Sequence, residues 1–218
     1  MISERIISDS WDFKTANTKE YTHSYHAYPA MMIPQIARRL IDEYSTTDTK
    51  LIFDPYCGSG TTLVEAKLRG INAIGTDLNP LARLLSRTKS QLFDLELLRQ
   101  ARSFFITKLF MEYQANVNVE LPDVSNIDYW FSQNVVHKLA FIKDLIFNQI
   151  DTSLQDFFLV PFSETVREAS YTRNGEFKLF RMEQRKIDIF NANPFEIFIK
   201  KVERNLKGYI EFHNQTST

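Results

Sequence analysis

The feature that most constrains the fold is a glycine-containing loop between an apolar run and a helical pattern. Residues 51–53 predict a short buried strand, residues 61–69 a helix that ends before Gly70, and residues 72–76 a second strand. Four of the six glycines fall between positions 58 and 75, so glycine is concentrated where the backbone must bend or approach another group. A strand, loop, helix and strand in this order form a βαβ unit, which implies a parallel sheet.

Helical patterns flank this unit on both sides. The spacing of apolar residues predicts helices over residues 34–44, 81–89, 95–113, 133–150, 154–169 and 194–209. Residues 1–25 are expected to be irregular, and the polar tail 213–218 is expected to fray. The expected fold class is α/β, with part of a Rossmann-like sheet in residues 1–92 and a mainly helical segment in residues 93–218.

The loop after the first strand has the chemistry of a site for an amino-acid group. Gly58 and Gly60 lack a Cβ atom where the backbone must approach a ligand. The helix start near Thr61 offers unpaired N–H groups, which suit a carboxylate, and Asp54 would accept a hydrogen bond from an ammonium group. These features fit the amino-acid end of S-adenosylmethionine better than a pyrophosphate. The loop also lacks the lysine that a phosphate-binding NTPase loop requires.

Asp77 follows the second strand and lies seventeen residues after Gly60. Dinucleotide sites place an acidic residue roughly 20 residues beyond the glycine loop, where it holds ribose hydroxyls. The same geometry would serve the ribose of an adenosyl group. The alternative is that Asp77 only caps the following helix, through Asn79 and Pro80.

Three segments, in order, resemble motifs of the amino-group DNA methyltransferases, which methylate cytosine N4 or adenine N6. Residues 54–62 resemble the S-adenosylmethionine motif of that family, residues 26–35 are similar to the motif that lines the methionine side of the cofactor, and residues 75–82 resemble the ribose-binding element. The resemblance implies that S-adenosyl-L-methionine is bound by Tyr28, Pro29, Asp54, Pro55, Tyr56, Cys57, Gly58, Ser59, Gly60, Thr61, Thr62, Asp77, Leu78 and Asn79.

A further segment, residues 163–181, is similar to the part that precedes the catalytic strand in cytosine-N4 members. The family also carries Asp, Asn or Ser followed by two prolines and an aromatic residue, which grip and stack on the flipped base. Here no two of the seven prolines are adjacent. Asn193-Pro194-Phe195 is the nearest approach, and we interpret it as a helix start. No catalytic residue is therefore assigned in this chain.

The resemblance and this departure together predict the cofactor-binding half of a site-specific DNA methyltransferase, with cytosine N4 as the target. The base-gripping residues would come from a second polypeptide or a downstream portion, and the lone chain would be inactive. DNA phosphates or acidic residues of the partner would be contacted by Arg167, Arg173, Lys178 and Arg181. Residues 173–207 carry nine Lys or Arg and five Asp or Glu, a local charge of +4, which permits DNA binding and is equally typical of a solvated helical surface.

Two alternatives remain open. RNA guanine-N2 methyltransferases use a similar loop, but they usually carry an RNA-binding domain ahead of it, and only about 50 residues precede it here. The other alternative is a non-catalytic subunit that binds S-adenosylmethionine and serves assembly. A metal site is not expected, because His23 and His26 have no third ligand nearby. Cys57 is expected to pack in the loop rather than to attack a substrate.

Composition argues against export and membrane insertion. No apolar run approaches the ~20 residues that a membrane helix needs. Residues 1–5 carry mixed charge and no apolar run of a secretory signal. The single cysteine cannot form an internal disulfide, so the cytoplasm is the expected compartment.

Overall fold

The computed structural model describes residues 9–114, 117–173 and 178–216. The expectation about residues 1–5 lies outside these ranges, as do residues 174–177 of the segment 163–181 and the last two residues of the chain. The helices described are α1 (Pro34–Tyr44), α2 (Thr61–Lys67), α3 (Pro80–Ser90), α4 (Leu95–Thr107), α5 (Ile127–Trp130), α6 (Gln133–Asn148), α7 (Thr152–Glu168), α8 (Gln184–Ile187) and α9 (Pro194–Thr216). The strands are β1 (Leu51–Asp54) and β2 (Asn72–Gly75), and 3-10 turns lie at Asp9–Trp11 and Tyr21–Tyr25.

The predicted parallel pair is confirmed. Strand β1 pairs with β2 in parallel, with Leu51 opposite Asn72 and Asp54 opposite Gly75. Helix α2 connects the two strands, which completes the βαβ unit. The structure is thus a mixed α/β fold with a small parallel sheet, as expected for part of a Rossmann-like methyltransferase sheet.

The prediction that the first strand is buried is wrong. Leu51 is 52% exposed and Phe53 is 60% exposed, and on β2 Ile74 is 52% exposed. Exposure alternates along both strands, with Ile52 and Ala73 more covered. Alternate residues of a strand point to opposite faces, so one face of this sheet is covered and the other is open in the described part of the chain. The apolar run indicated a strand correctly, but burial also requires a layer of structure on each face.

The main core lies among the helices. Phe105, Phe157, Phe158, Phe198 and Tyr209 are each 0–1% exposed. Their rings pack edge-on or tilted with centroids 4.8 to 6.2 Å apart, as in the pairs Phe105–Phe158 and Phe157–Tyr209. The same cluster includes Tyr25, Val64 and Leu85 from the cofactor-motif part of the chain. The core therefore crosses residue 92, and the proposed division at that position remains a prediction.

Most predicted helices are present with shifted ends. Helix α1 has the predicted bounds, while the pattern over residues 95–113 becomes α4 followed by a π turn at Lys108–Glu112. The expected fraying from residue 213 is wrong up to Thr216, where α9 ends. Phe212 is 0% exposed, and the Thr216 hydroxyl donates to its carbonyl at 3.0 Å, so the last turn is anchored in the core.

Helix α9 also holds in place the N-terminal arm, by which we mean the described residues 9–25. A Cβ atom at Gly208 would lie 2.2 Å from the carbonyl oxygen of Tyr21, so only glycine permits this approach. The neighbouring Tyr209 hydroxyl donates to the carbonyl of Phe93 and accepts from its N–H, both at 2.6 Å. These contacts place the arm and the end of α3 against α9, beside the glycine loop.

Candidate cofactor site

Backbone hydrogen bonds fix the glycine loop to the carboxyl ends of both strands. The N–H of Thr76 donates to the carbonyl of Asp54 at 3.0 Å, and the N–H of Cys57 donates to the carbonyl of Thr76 at 3.0 Å. The Thr76 hydroxyl donates to the carbonyl of Pro55 at 2.8 Å. The loop then turns into α2, where the N–H of Gly60 donates to the carbonyl of Cys57 at 2.8 Å. The loop is therefore held rigidly above the sheet edge where the two strands end.

The three glycines near the loop differ in what they accommodate. Gly58 has φ of +49°, and a Cβ atom built on it would meet no atom within 4 Å. Gly60 has φ of +87°, and its Cβ atom would lie 2.6 Å from Cα of Ser86 on α3. A Cβ atom at Gly75 would lie 2.6 Å from Cβ of Cys57. Open space for a close ligand thus lies at Gly58, whereas the close approach at Gly60 is to helix α3.

Asp54 at the end of β1 and Asp77 after β2 are both partly buried, and Asp77 lies beside Gly58. Asp77 accepts from the N–H of Gly58 at 3.0 Å through Oδ2 and from the N–H of Asn79 at 2.8 Å through Oδ1. Asp54 accepts from the N–H of Tyr56 at 3.1 Å through Oδ1. A carboxylate offers about four acceptor positions, so both side chains are oriented by backbone donors and retain acceptor capacity for a ligand.

Asn79 is the residue that caps the start of helix α3. Its side-chain oxygen accepts from the N–H of Leu81 at 2.9 Å, and its side-chain nitrogen donates to the hydroxyl of Tyr28 at 3.1 Å. The second contact joins the segment before α1 to the end of β2. Pro29 is exposed within that segment, and Ala30 beyond it has φ of +54°.

The remaining predicted site residues are spread between the surface and the interior. Tyr56 is 88% exposed and Leu78 is 100% exposed, so both rims of the site present apolar side chains to solvent. Ser59 and Thr61 are buried, and Thr62 is partly buried. Cys57 is buried as expected, and burial raises the pKa of its thiol against a hydrogen bond with Ser86 that lowers it. A raised pKa leaves little thiolate at neutral pH, which suits packing rather than nucleophilic attack.

A buried ion cluster behind the loop was not predicted from the sequence. Glu65 on α2 is 0% exposed and accepts four hydrogen bonds: from His23 Nε2 at 3.0 Å, from Arg38 Nε at 3.0 Å and Nη2 at 3.1 Å, and from Arg69 Nη1 at 3.0 Å. Burial alone would raise the pKa of Glu65, but the hydrogen bonds of His23 and Arg38 lower it to about 2. This cluster ties α1, α2 and the N-terminal arm together.

A second unpredicted feature is Lys89, near the end of α3, which is 0% exposed. A sequence signal existed, because Ala82, Leu85 and Lys89 recur at the spacing of one helix face, and all three are buried. The lysine thus occupies a position where helical periodicity calls for an apolar side chain.

The four basic residues predicted to meet DNA or a partner lie close in sequence to an isolated bridge between two extended segments. Thr172 and Arg181 form an antiparallel bridge. The guanidinium of Arg181 lies 4.6 Å from the ring centroid of Tyr129 and donates to its carbonyl at 2.8 Å. Arg173 and Lys178 are exposed and Arg167 is partly buried. Arg181 therefore links this bridge to Tyr129, and whether any of the four residues meets DNA or a partner remains a prediction.

Within the described ranges, no group of three or more His, Cys, Asp or Glu side chains is arranged to hold a metal ion. No helix in those ranges is both long and apolar enough to cross a membrane.

The chain is similar to a known family and to several known methyltransferases. Residues 2–85 match the N6 and N4 DNA methylase family. The Type II methyltransferase M.MvaI of Kocuria varians is 42% identical over 210 residues, which cover 93% of this chain and 46% of that protein. The Type II methyltransferase M.MjaII of Methanocaldococcus jannaschii is 36% identical over 95 residues, covering 41% of this chain and 18% of that protein.

A tRNA (guanine(10)-N2)-dimethyltransferase of Methanocaldococcus jannaschii is 30% identical over 98 residues, covering 44% of this chain and 27% of that protein. This chain thus spans less than half the length of the curated relatives it matches. No solved structure matches it significantly.

Proposed function

On the premise that the family match and the Type II relatives support an amino-group methyltransferase family for this chain, we propose that it is the cofactor-binding half of a site-specific DNA methyltransferase acting on cytosine N4. The observation that carries the proposal is the open space at Gly58, whose N–H donates to Asp77, in a loop that begins at a second backbone-oriented carboxylate, Asp54. S-adenosylmethionine, when bound, supplies the methyl group. Residues of the protein bind and orient the cofactor.

The residues around the loop fit the two ends of that cofactor. Asp54 accepts a hydrogen bond from the ammonium of the methionine part, and Asp77 accepts from the ribose hydroxyls. Gly58 lets the backbone lie against the ligand without a side chain between them. Methyl transfer to an exocyclic amine depends mainly on aligning donor and acceptor, so a rigid loop contributes by orientation.

The base-gripping residues are proposed to lie outside this chain, on a second polypeptide or a downstream portion. The 218 residues contain no adjacent prolines and thus no Pro-Pro-aromatic motif. In the described residues, β1 pairs with β2 alone, and the sheet face that carries Leu51, Phe53 and Ile74 is open. An open edge and an apolar face favour association with further strands and a covering layer. We propose that the catalytic half packs there.

DNA is the proposed substrate, and the basic residues near the bridge between Thr172 and Arg181 are the proposed contact with its backbone or with the partner. Charge reversal of Arg167 and Arg173 is therefore expected to weaken DNA binding or assembly. Phosphate contacts are sensitive to salt, so a loss of DNA contact would also flatten the salt dependence of binding.

The experiment is methyl transfer from tritium-labelled S-adenosylmethionine to plasmid DNA. The chain alone is expected to transfer none, and the chain with a co-expressed Pro-Pro-Tyr protein is expected to transfer methyl groups to cytosine N4. Transfer by the chain alone would refute the division of labour. A chain that neither associates with such a protein nor supports transfer in the mixture would refute the proposed pairing.

A matched pair of variants tests the proposed interface. Phe53→Thr removes an apolar side chain from the open sheet face, while Leu97→Thr removes one from α4 that is 42% exposed. Covering the rest of Phe53 in a complex is worth about 1–2 kcal/mol, or about ten-fold in affinity. Phe53→Thr should weaken association by that factor and Leu97→Thr should not, and equal effects would place the interface elsewhere.

RNA guanine-N2 methylation is the second candidate, supported by the tRNA (guanine(10)-N2)-dimethyltransferase match. The longer and more identical match to a Type II methyltransferase favours DNA. Transfer to tRNA but not to plasmid DNA, in the same assay, would reverse that order.

A further inference from the structure

A cavity of about 320 Å³ lies beside the glycine loop, between the N-terminal arm, the segment before α1 and helices α3, α7 and α9. Thr61, the first residue of α2, forms part of its wall, so the cavity adjoins the end of the loop. Another part of the wall is formed by the side chains of Met31, Met32 and Ile33. The cavity therefore combines an apolar wall with a contact to the start of α2, where the proposed cofactor loop ends.

The wall contains a buried cation without a strong partner. Lys89 is 0% exposed, and within the described ranges the hydrogen-bond acceptor recorded for its ammonium group is Sδ of Met31 at 4.0 Å. An ammonium group carries three donors, and a thioether sulfur is a weak acceptor. Burial lowers the pKa of Lys89 to about 8, against the attraction of Glu164, so the group is still mostly charged at neutral pH. A buried charge of this kind costs free energy unless a counter-charge arrives.

The carboxylate in the cavity wall is already engaged. Glu164 accepts from Nη2 of Arg204 and from the N–H of Ala27 at 3.1 Å, and Nζ of Lys201 lies 3.8 Å from it. Nδ1 of His26 in the same wall is buried without a partner, while its Nε2 is bonded to a serine hydroxyl at 3.1 Å. The cavity thus holds a cation and a ring nitrogen whose hydrogen-bonding capacity is not used by the described protein atoms.

We propose that Lys89 is the counter-charge for a carboxylate that binds in this cavity, and that this carboxylate belongs to the methionine part of S-adenosylmethionine. The inference rests on the proposed function. The neighbouring Thr61 places the cavity next to the loop that would hold the rest of the cofactor, and the Met31 and Met32 wall suits its aliphatic carbons. A DNA phosphate is a poorer candidate, because the phosphates of a duplex lie along its outer surface, whereas Lys89 lies in the wall of a cavity between the N-terminal arm and helices α3, α7 and α9.

The test compares S-adenosylmethionine with its decarboxylated analogue, which keeps the sulfonium and ammonium groups. Calorimetry is performed on the full chain, on Lys89→Met and on the control Lys50→Met, whose side chain is exposed. The wild type and the control should prefer S-adenosylmethionine by on the order of ten-fold or more, the size of a charge-assisted hydrogen bond. Lys89→Met should bind the two ligands alike. Its thermal midpoint should be equal or higher, because an uncompensated buried charge has been removed.

Three results would overturn the inference. The first is equal affinity of the wild type for both ligands, which needs no variant and so does not depend on the folding of Lys89→Met. The second is a full preference retained in Lys89→Met. The third is an equal loss for both ligands, which would mean that Lys89 shapes the site without contacting the carboxylate. Absence of binding of either ligand to the wild type would instead refute the proposed function itself.

Discussion

Replacing Glu65 by Gln should strongly destabilise the protein, because the buried carboxylate of Glu65 is the shared acceptor of a cluster of hydrogen bonds. The two oxygens of Glu65 accept four hydrogen bonds from His23, Arg38 and Arg69. A glutamine keeps one oxygen and turns an NH₂ group towards donors that need an acceptor. It also leaves two guanidinium groups, whose side chains are 32% and 21% exposed, without the buried carboxylate.

The magnitude follows from these contacts. Removing one partner of a buried ion pair costs about 3–5 kcal/mol, and at least two of the four hydrogen bonds are lost outright. For a chain of 218 residues, each kcal/mol lowers the melting temperature by roughly 2–4 °C. The expected fall in melting temperature is therefore on the order of 10 °C. The underlying loss of about 3–5 kcal/mol is a large part of the roughly 5–15 kcal/mol by which ordinary domains are stable.

The assay is urea unfolding followed by circular dichroism at pH 7, with Glu43→Gln as the matched control. Glu43 lies exposed on α1, so its exchange should change the free energy of unfolding by less than about 0.5 kcal/mol. The pKa of Glu65 is lowered to about 2 from an ordinary value near 4.5, so its stabilisation is complete above pH 4.5 and is lost as the pH falls towards 2. The difference between wild type and Glu65→Gln should shrink over that window. A Glu65→Gln protein as stable as Glu43→Gln at pH 7 would refute the reasoning.

Two further predictions concern packing. Gly60→Ala should unfold at a lower temperature than Gly58→Ala. Both variants carry the left-handed backbone penalty of about 1–2 kcal/mol, but only Gly60→Ala places a methyl group 2.6 Å from Cα of Ser86. Thermal unfolding of the two variants checks this, and equal midpoints would contradict it. Gly58→Ala should instead weaken S-adenosylmethionine binding in calorimetry. Tyr209→Phe should lower the free energy of unfolding, measured with urea, by about 1–3 kcal/mol, because the N–H and C=O of Phe93 both lose their partner. A loss below about 0.5 kcal/mol would show that other groups replace the hydroxyl.

The sequence predicted local structure well where the signal is local. Pro34 at the first turn and the apolar spacing after it gave the bounds of α1, and glycine between two short apolar runs gave the parallel pair. The loop motif predicted Asp54 and Asp77 at the carboxyl ends of neighbouring strands, and in the structure β1 ends at Asp54 while Asp77 follows β2 and accepts from the N–H of Gly58. Such features depend on residues only a few positions apart or on the fixed geometry of a βαβ unit.

The features that sequence reasoning missed depend on which surfaces meet in three dimensions. Exposure of Phe53 depends on whether a layer covers the sheet, which an apolar run alone does not specify. Likewise, the need for glycine at position 60 comes from helix α3, and at position 208 from the arm around Tyr21. Lys89 could have been found, because it interrupts the apolar face of α3 with a charge.

The most direct test of the central claim is the binding of S-adenosylmethionine to this chain, measured by calorimetry on the wild type, Asp54→Ala, Asp77→Ala and the control Asp48→Ala. Asp48 is exposed in the turn before β1 and lies outside the proposed site. The account predicts one cofactor bound per chain by the wild type and by the control. It predicts a loss of about 1.5–3 kcal/mol, roughly ten- to a hundred-fold in affinity, for each of the other two variants. Wild-type protein that binds no S-adenosylmethionine, or Asp54→Ala and Asp77→Ala proteins that bind it as tightly as the control, would contradict the claim.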